Sequence, residues 1–315
     1  MPLSIALDSA THLTTLTPYQ AIGIPIALLG AIFLAVGAQL QHRGVQKVDA
    51  DTPPENRAGL NVKQLLLLLR RPSWVIGAVL LFLAIVLQLI SLVFAPLTVV
   101  QPLGVLALVI TSILNARVSH IPLDRPHIWA IVWCVAGVGI FVTIAAIYTK
   151  SPPITDRQLV IVLIILGAVI LVFALLFVFF RKKFNMVFYI VGAGVLFGFV
   201  ATLAKVDIDR IHTIIIDDFK FEPGDGLTIV CLAGLAIAGL LGSYFVQNAY
   251  ASGPPDLVVA GLTVIDPLVG VTIGIAVLGE AAGAPVWAAI VMVLSGALAI
   301  FGVFSLARHH PQIQR

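Results

Sequence analysis

The sequence predicts an all-helical integral membrane protein of about nine transmembrane helices, and three observations predict it. The 315 residues are 60% hydrophobic and only 10% charged, with a mean hydropathy of +1.10, whereas a soluble domain carries charge at about a quarter of its positions. The apolar residues gather into runs long enough to cross a bilayer, roughly 20 residues each. The 18 basic residues fall unevenly between those runs.

Nine runs reach the required length, at 20–41, 74–94, 96–116, 127–148, 158–180, 186–204, 227–249, 256–279 and 285–306. No Lys or Arg precedes the first, and that run is too long for the core of a signal peptide, so it is read as a retained span. The second and third are separated only at Ala95-Pro96. One helix across both would be about twice the length a bilayer needs, which forces a tight turn there. The corresponding later break, A-S-G-P-P-D at 251–256, is explicit. Leu65 to Leu69, between Lys63 and Arg70, is too short to cross and is expected along the cytoplasmic face.

Basic residues give the direction. Arg43, Lys47, Arg57, Lys63, Arg70 and Arg71 follow the first span, and Arg117, Arg125, Arg181, Lys182, Lys183, Arg308 and Arg315 fall on the same side. Lys150, Arg157, Lys205, Arg210 and Lys220 fall on the other, giving thirteen against five. The positive-inside rule then places the N-terminus outside and the C-terminus in the cytoplasm, with the plasma membrane as the expected location.

The same pass excludes several classes. Cys134 and Cys231 lie in apolar runs without CxxC or Cys/His spacing, so they read as buried free thiols rather than a disulfide or zinc site. There is no HExxH, P-loop or nucleophile elbow, and no interleaving of basic and aromatic residues. The chain is therefore expected to be no enzyme, to use no cofactor and to bind no nucleic acid. Its expected partners are the lipid bilayer and a small-molecule or ion substrate, with room for a homodimer.

An internal repeat supplies the architecture. T-V-V-Q-P-L-G-V at 98–105 and T-V-I-D-P-L-V-G at 263–270 share Thr, Val, Pro and Leu at an offset of 165 residues. Gln88 stands eight residues before Pro96, as Gln247 stands eight before Pro255. GAIFLAVGAQLQ at 30–41 and GVLFGFVATLAK at 194–205 extend the match. The third and eighth spans, which carry the copies, are five positions apart in the order and so run in opposite directions, which makes the duplication inverted, the plan of many secondary transporters. The expected halves are 1–180 and 181–315. The run L-G-E-A-A-G-A-P-V-W at 278–287, followed by S-G-A-L-A-I-F-G, resembles the final EamA-like repeat of the drug/metabolite transporter superfamily. Q-P-L-G-V-L at 101–106 and the nine-span layout are similar to its NIPA-type magnesium transporter branch. The first half has no glutamate matching Glu280; Asn115 or Arg117 falls there instead. The resemblance implies two five-helix repeats around a central cavity, here without a tenth helix, and transport of a small solute.

Asp266 is the leading candidate, about ten residues into the eighth span and so near mid-depth at about 1.5 Å per residue. A charged carboxylate there costs roughly 2.5–3.5 kcal/mol on insertion scales. Pro267 cannot donate to the Thr263 carbonyl, which leaves an acceptor beside it. The pair suits a cation or an exchangeable proton; the alternative is a protonated acid that ties two helices together. Gln101 with Thr98 forms the neutral counterpart, and Gln39, Gln41, Gln88, Gln247 and Asn248 are further amides that either line a cavity or join helices. Lys205 is expected to snorkel to the outer interface, and Glu280 to cap the helix that follows it. Asp207, Asp209, Asp217, Asp218, Glu222 and Asp225 are expected in a solvated outer loop, 207–225. Gly194/Gly198 and Gly270/Gly274 read as close-packing faces. The leading function is a secondary transporter with a midplane cavity and Asp266 as the coupling group. The alternatives are a magnesium transporter, with Asp266 facing the metal, and a non-transporting scaffold subunit with Asp266 sealed.

Overall fold

The computed structural model describes residues 18–50, 69–118, 123–180, 185–216, 226–252 and 255–308, and within them the chain is helical almost throughout. Ten helices follow in order: α1 Pro18–Ala50, α2 Pro72–Phe94, α3 Leu97–Gly104, α4 Leu106–Val118, α5 Arg125–Tyr148, α6 Asp156–Phe180, α7 Met186–Ile216, α8 Gly226–Ser252, α9 Pro255–Ala276 and α10 Val286–Arg308. With α3 and α4 forming one span, nine segments among the described residues are long and apolar enough to cross a membrane, each at a mean hydropathy between 2.0 and 3.5. Their order and positions are those the apolar runs predict. A helix satisfies its backbone groups within one segment and without water, as spanning a hydrocarbon layer requires. Leu65 to Leu68 and the basic loop residues Arg57, Lys63 and Arg181 to Lys183 lie outside the described residues.

The turn forced at Ala95-Pro96 is present. Helix α2 ends with the Ala95 N–H bonded to the Ser91 carbonyl at 2.9 Å, and Ala95 turns to extended backbone at φ −135°, ψ 152°. Pro96 then starts α3, its carbonyl accepting from Val99 and Val100. One expectation fails here. Helix α7 runs on to Ile216, so Asp207 and Asp209 sit on a helix rather than in a loop, and Asp207 is buried. Residues 217–225 lie outside the described residues.

Packing joins α1 to α2, α5 to α10, and α7 to both α8 and α9, with α3 wedged against α1, α5 and α9. Glycine allows these approaches. A β-carbon on Gly194 would lie 2.6 Å from Ile265 Cβ, and one on Gly198 2.6 Å from Val269 Cβ, so both glycines form the close-packing face expected of them. At the α5–α10 crossing the obstacle is backbone: a β-carbon on Gly137 would lie 2.5 Å from the Ala299 nitrogen and 2.7 Å from the Ser295 carbonyl oxygen. Backbone cannot rotate aside as a side chain can. Gly137→Ala is therefore expected to force the two helices apart and cost about 1–3 kcal/mol, the range for overpacked cores. A lower unfolding temperature in detergent, against an unchanged value for Gly139→Ala at an open position, is the check. Cys134 and Cys231 are free and buried, as their apolar setting predicts.

Candidate functional site

Two residues from the predicted set, Gln101 and Thr98, meet α9 along one seam between α3 and α9. On α9, Asp266, Gly270 and Gly274 recur every four residues and so share a face. Helix α3 lies against that face. A β-carbon on Gly270 would sit 3.2 Å from Gln101 Cγ, and one on Gly274 would sit 3.0 Å from Thr98 Oγ1 and 2.8 Å from Glu280 Oε2. The two glycines are thus the slots that admit the polar side chains of α3. Asp266, near the middle of α9, is one turn (about 6 Å of rise) from the Gln101 level. The seam runs from there to Thr98 and Glu280 at the bundle end that carries the Ala95-Pro96 turn.

The backbone is irregular along the same seam. Pro102 gives α3 no N–H to return to Thr98, and the Val105 N–H bonds to the Pro102 carbonyl at 3.2 Å rather than to Gln101, so the third span breaks into α3 and α4. Broken helices inside a membrane are tolerated where they face protein or a wet cavity. Here the break adjoins two buried polar atoms without a hydrogen-bond partner, Gln101 Nε2 and Asp266 Oδ1. Each such atom costs about 1–3 kcal/mol when left unsatisfied. Gln101 is on α3 and Asp266 on α9, one turn before the Gly270 slot that Gln101 fills.

Glu280 closes the seam and corrects its expected role: it caps α3 rather than the helix after it. Its Oε1 accepts from the Leu97 N–H at 2.7 Å, and its Oε2 accepts from the Thr98 N–H at 2.8 Å and the Thr98 hydroxyl at 2.5 Å. Pro96, at the N-cap of α3, has no side chain able to do this. Glu280 itself is placed by a turn at Gly279, whose φ of 72° favours glycine. Its N–H bonds to the Gly274 carbonyl at 3.0 Å, and its carbonyl accepts from the Lys150 N–H at 2.9 Å. Burial pushes the Glu280 carboxyl above the usual glutamate range, opposed by the Thr98 and Leu97 bonds and by the nearby charge of Lys205. Lys205 does not snorkel. It is buried, its Nζ donating to the Leu92 carbonyl at 2.5 Å and to Asp209 at 3.1 Å, which straps α7 to the end of α2. Gln158 of α6 adds bonds to the Val277 and Leu278 carbonyls, both 3.1 Å. This end of the bundle is closed by polar ties.

The other predicted residues lie elsewhere. Thr263 bonds back to the Val259 carbonyl at 2.7 Å and lines an apolar cavity of about 80 Å³ with Pro102, Val105 and Pro267. Gln88 lines a second cavity of about 40 Å³ between α1, α2 and α3. Gln39 is half-buried on α1, Asn248 bonds to the Tyr244 carbonyl of its own helix, and Gln247 is exposed on α8. Neither cavity is lined by Asp266 or Gln101. Among the described residues no three His, Cys, Asp or Glu side chains converge as a metal cluster.

Comparison with known proteins agrees with this architecture. An uncharacterised protein of Corynebacterium glutamicum is 30% identical over 293 residues, covering 91% of this chain and 95% of its own. The Arabidopsis thaliana protein named "Probable magnesium transporter NIPA7" is 25% identical over 130 residues, 41% of this chain and 38% of its own. No solved structure matches. The family model described as magnesium transporter NIPA matches residues 19–222, which hold α1 to α7 and the whole α3 side of the seam. The chain belongs to that family and is a multi-pass membrane transporter.

Proposed function

We propose that this chain carries magnesium across the plasma membrane along the α3–α9 seam, with Asp266 as the group that meets the ion. The observation that carries the reading is the unpartnered Asp266 Oδ1 at mid-depth beside a broken helix. Magnesium binds through one or two carboxylates and keeps several waters, so one carboxylate oxygen with an amide and a hydroxyl above it is a fitting donor set. Gln101 can turn either end of its amide towards a hydrated ion, and Thr98 stands one turn further along. The names borne by the family and by the Arabidopsis relative support the same ion.

The duplicated architecture belongs to this reading. The pairing of α1 with α2 parallels that of α7 with α8, and α3–α9 and α5–α10 pack across the proposed halves 1–180 and 181–315. Alternating access would then open the Glu280 end while the other end closes. A proton or second cation at Asp266 would supply the coupling.

The test is uptake into vesicles that enclose a magnesium indicator, run beside other divalent cations and a panel of organic solutes. A magnesium-dependent signal is expected. A response to an organic solute alone would return the chain to the wider solute-transporter reading, and no response to any substrate would favour a scaffold. Orientation has its own check. The thirteen-to-five basic asymmetry supports a cytoplasmic C-terminus, so a reporter fused after Arg315 should be active only as a cytoplasmic marker. Activity of an export-dependent reporter there would reverse the direction.

A further inference from the structure

On the far side of α7 from the seam, a second buried carboxylate has no partner. Asp207 is 3% exposed, and neither of its oxygens makes a hydrogen bond. Nine residues separate it from Gly198, about half a turn out of phase, so it faces α8 while Gly198 faces α9. Thr228, near the start of α8, is 6% exposed with an unpartnered hydroxyl. Cys231, three residues on and therefore on the same face, lies within electrostatic reach of both Asp207 and Arg210. Arg210 is a nearby cation, but its guanidinium is paired to the exposed Asp156 at the start of α6, and its Nε remains unpartnered.

Among the described residues the charges of this group do not balance. Asp156, Asp207 and Arg210 together carry one excess negative charge, and it falls on the buried member. Protonation alone does not complete Asp207, because no acceptor among the described residues stands within hydrogen-bond reach of either oxygen to receive an acid O–H. What satisfies two carboxylate oxygens and a hydroxyl together is a positive group that donates hydrogen bonds in several directions. A hydrated divalent ion does so, since its bound waters present hydrogens outward.

We infer that Asp207 anchors a second cation site, for a hydrated divalent ion, at the corner where α6, α7 and α8 meet. Thr228 is its neutral ligand, and Arg210 a competitor that Asp156 draws away. This site lies off the α3–α9 seam and does not depend on which solute the seam carries.

The probe is Mn²⁺, titrated by electron paramagnetic resonance against the full-length protein in detergent. Asp207→Asn is expected to lose about one bound ion per chain, and Thr228→Val to weaken that site several-fold. Arg210→Gln should tighten it several-fold, because it removes the competing charge. This substitution separates the site from a plain ion-pair network, which predicts no gain in Mn²⁺ affinity. Unchanged Mn²⁺ stoichiometry in Asp207→Asn, or, should that variant not fold, unchanged affinity in both Thr228→Val and Arg210→Gln, would overturn the inference. Asp266→Asn serves as the separate control: loss of a different ion there, or none, bears on the seam alone.

Discussion

Asp266→Asn is expected to insert and fold normally and to lose the proposed magnesium uptake. Asparagine keeps the shape and a hydrogen-bonding amide but removes the charge, so what is lost is attraction for the ion rather than packing. Stripping one charged partner from a buried contact costs at least about 2 kcal/mol, so apparent affinity should fall roughly 30-fold or more. Asp266→Glu keeps the charge at a shifted position and should retain part of the activity with altered ion preference. If Asp266 only ties helices together, asparagine serves that purpose as well as a protonated acid does. Initial uptake rates for the three proteins, normalised to the amount reconstituted, separate the cases. Wild-type rates in the Asn variant at every magnesium concentration would leave Asp266 as a helix tie.

Glu280→Ala should produce the largest loss of stability. Removing the carboxylate strands the Leu97 and Thr98 N–H groups and the Thr98 hydroxyl at the buried start of α3. At about 1–3 kcal/mol for each unsatisfied donor, a loss of about 3 kcal/mol or more is expected. Glu280→Gln keeps one acceptor oxygen and should lose less. The pH response follows from the raised carboxyl. The folded chain holds this proton at pH values where the unfolded chain has released it, so stability should fall as pH rises from the ordinary glutamate range through the folded value. Unfolding midpoints in detergent across a pH series test both points. The slope should be shallower in Glu280→Gln, and equal slopes would show that the folded carboxyl titrates like an exposed one.

The two substitutions probe different links of one chain of causes. Asp266 is proposed to meet the ion, whereas Glu280 fixes the short helix that forms the opposite wall of the seam. A Glu280 variant that folds but transports poorly would therefore be read as a fault in positioning. Recovery of part of that transport in Glu280→Asp, which keeps the charge, would support this.

The composition and the spacing of apolar runs determined the class, the nine spans seen among the described residues and the turn at Ala95-Pro96, because a bilayer imposes one length and one backbone geometry on whatever crosses it. They did not show the break between α3 and α4 or the extension of α7 to Ile216. The T-V-x-x-P-L repeat likewise pointed to Thr98, Gln101 and Asp266, since a polar residue beside proline in an apolar run is costly without a reason. The partners of those residues were not legible. Glu280 caps a helix that starts 183 residues earlier in the chain, and no local pattern encodes a cap supplied from such a distance. Lys205 reads as an interfacial snorkeler by its place near a span end, yet the Leu92 carbonyl in the last turn of α2, to which Pro96 has no N–H to give, draws it inward. Of the equivalent-looking amides, Gln101 lies on the seam and Gln247 faces outward on α8. Rotation about the helix axis decides between those fates, and only the packing of neighbouring helices fixes that rotation.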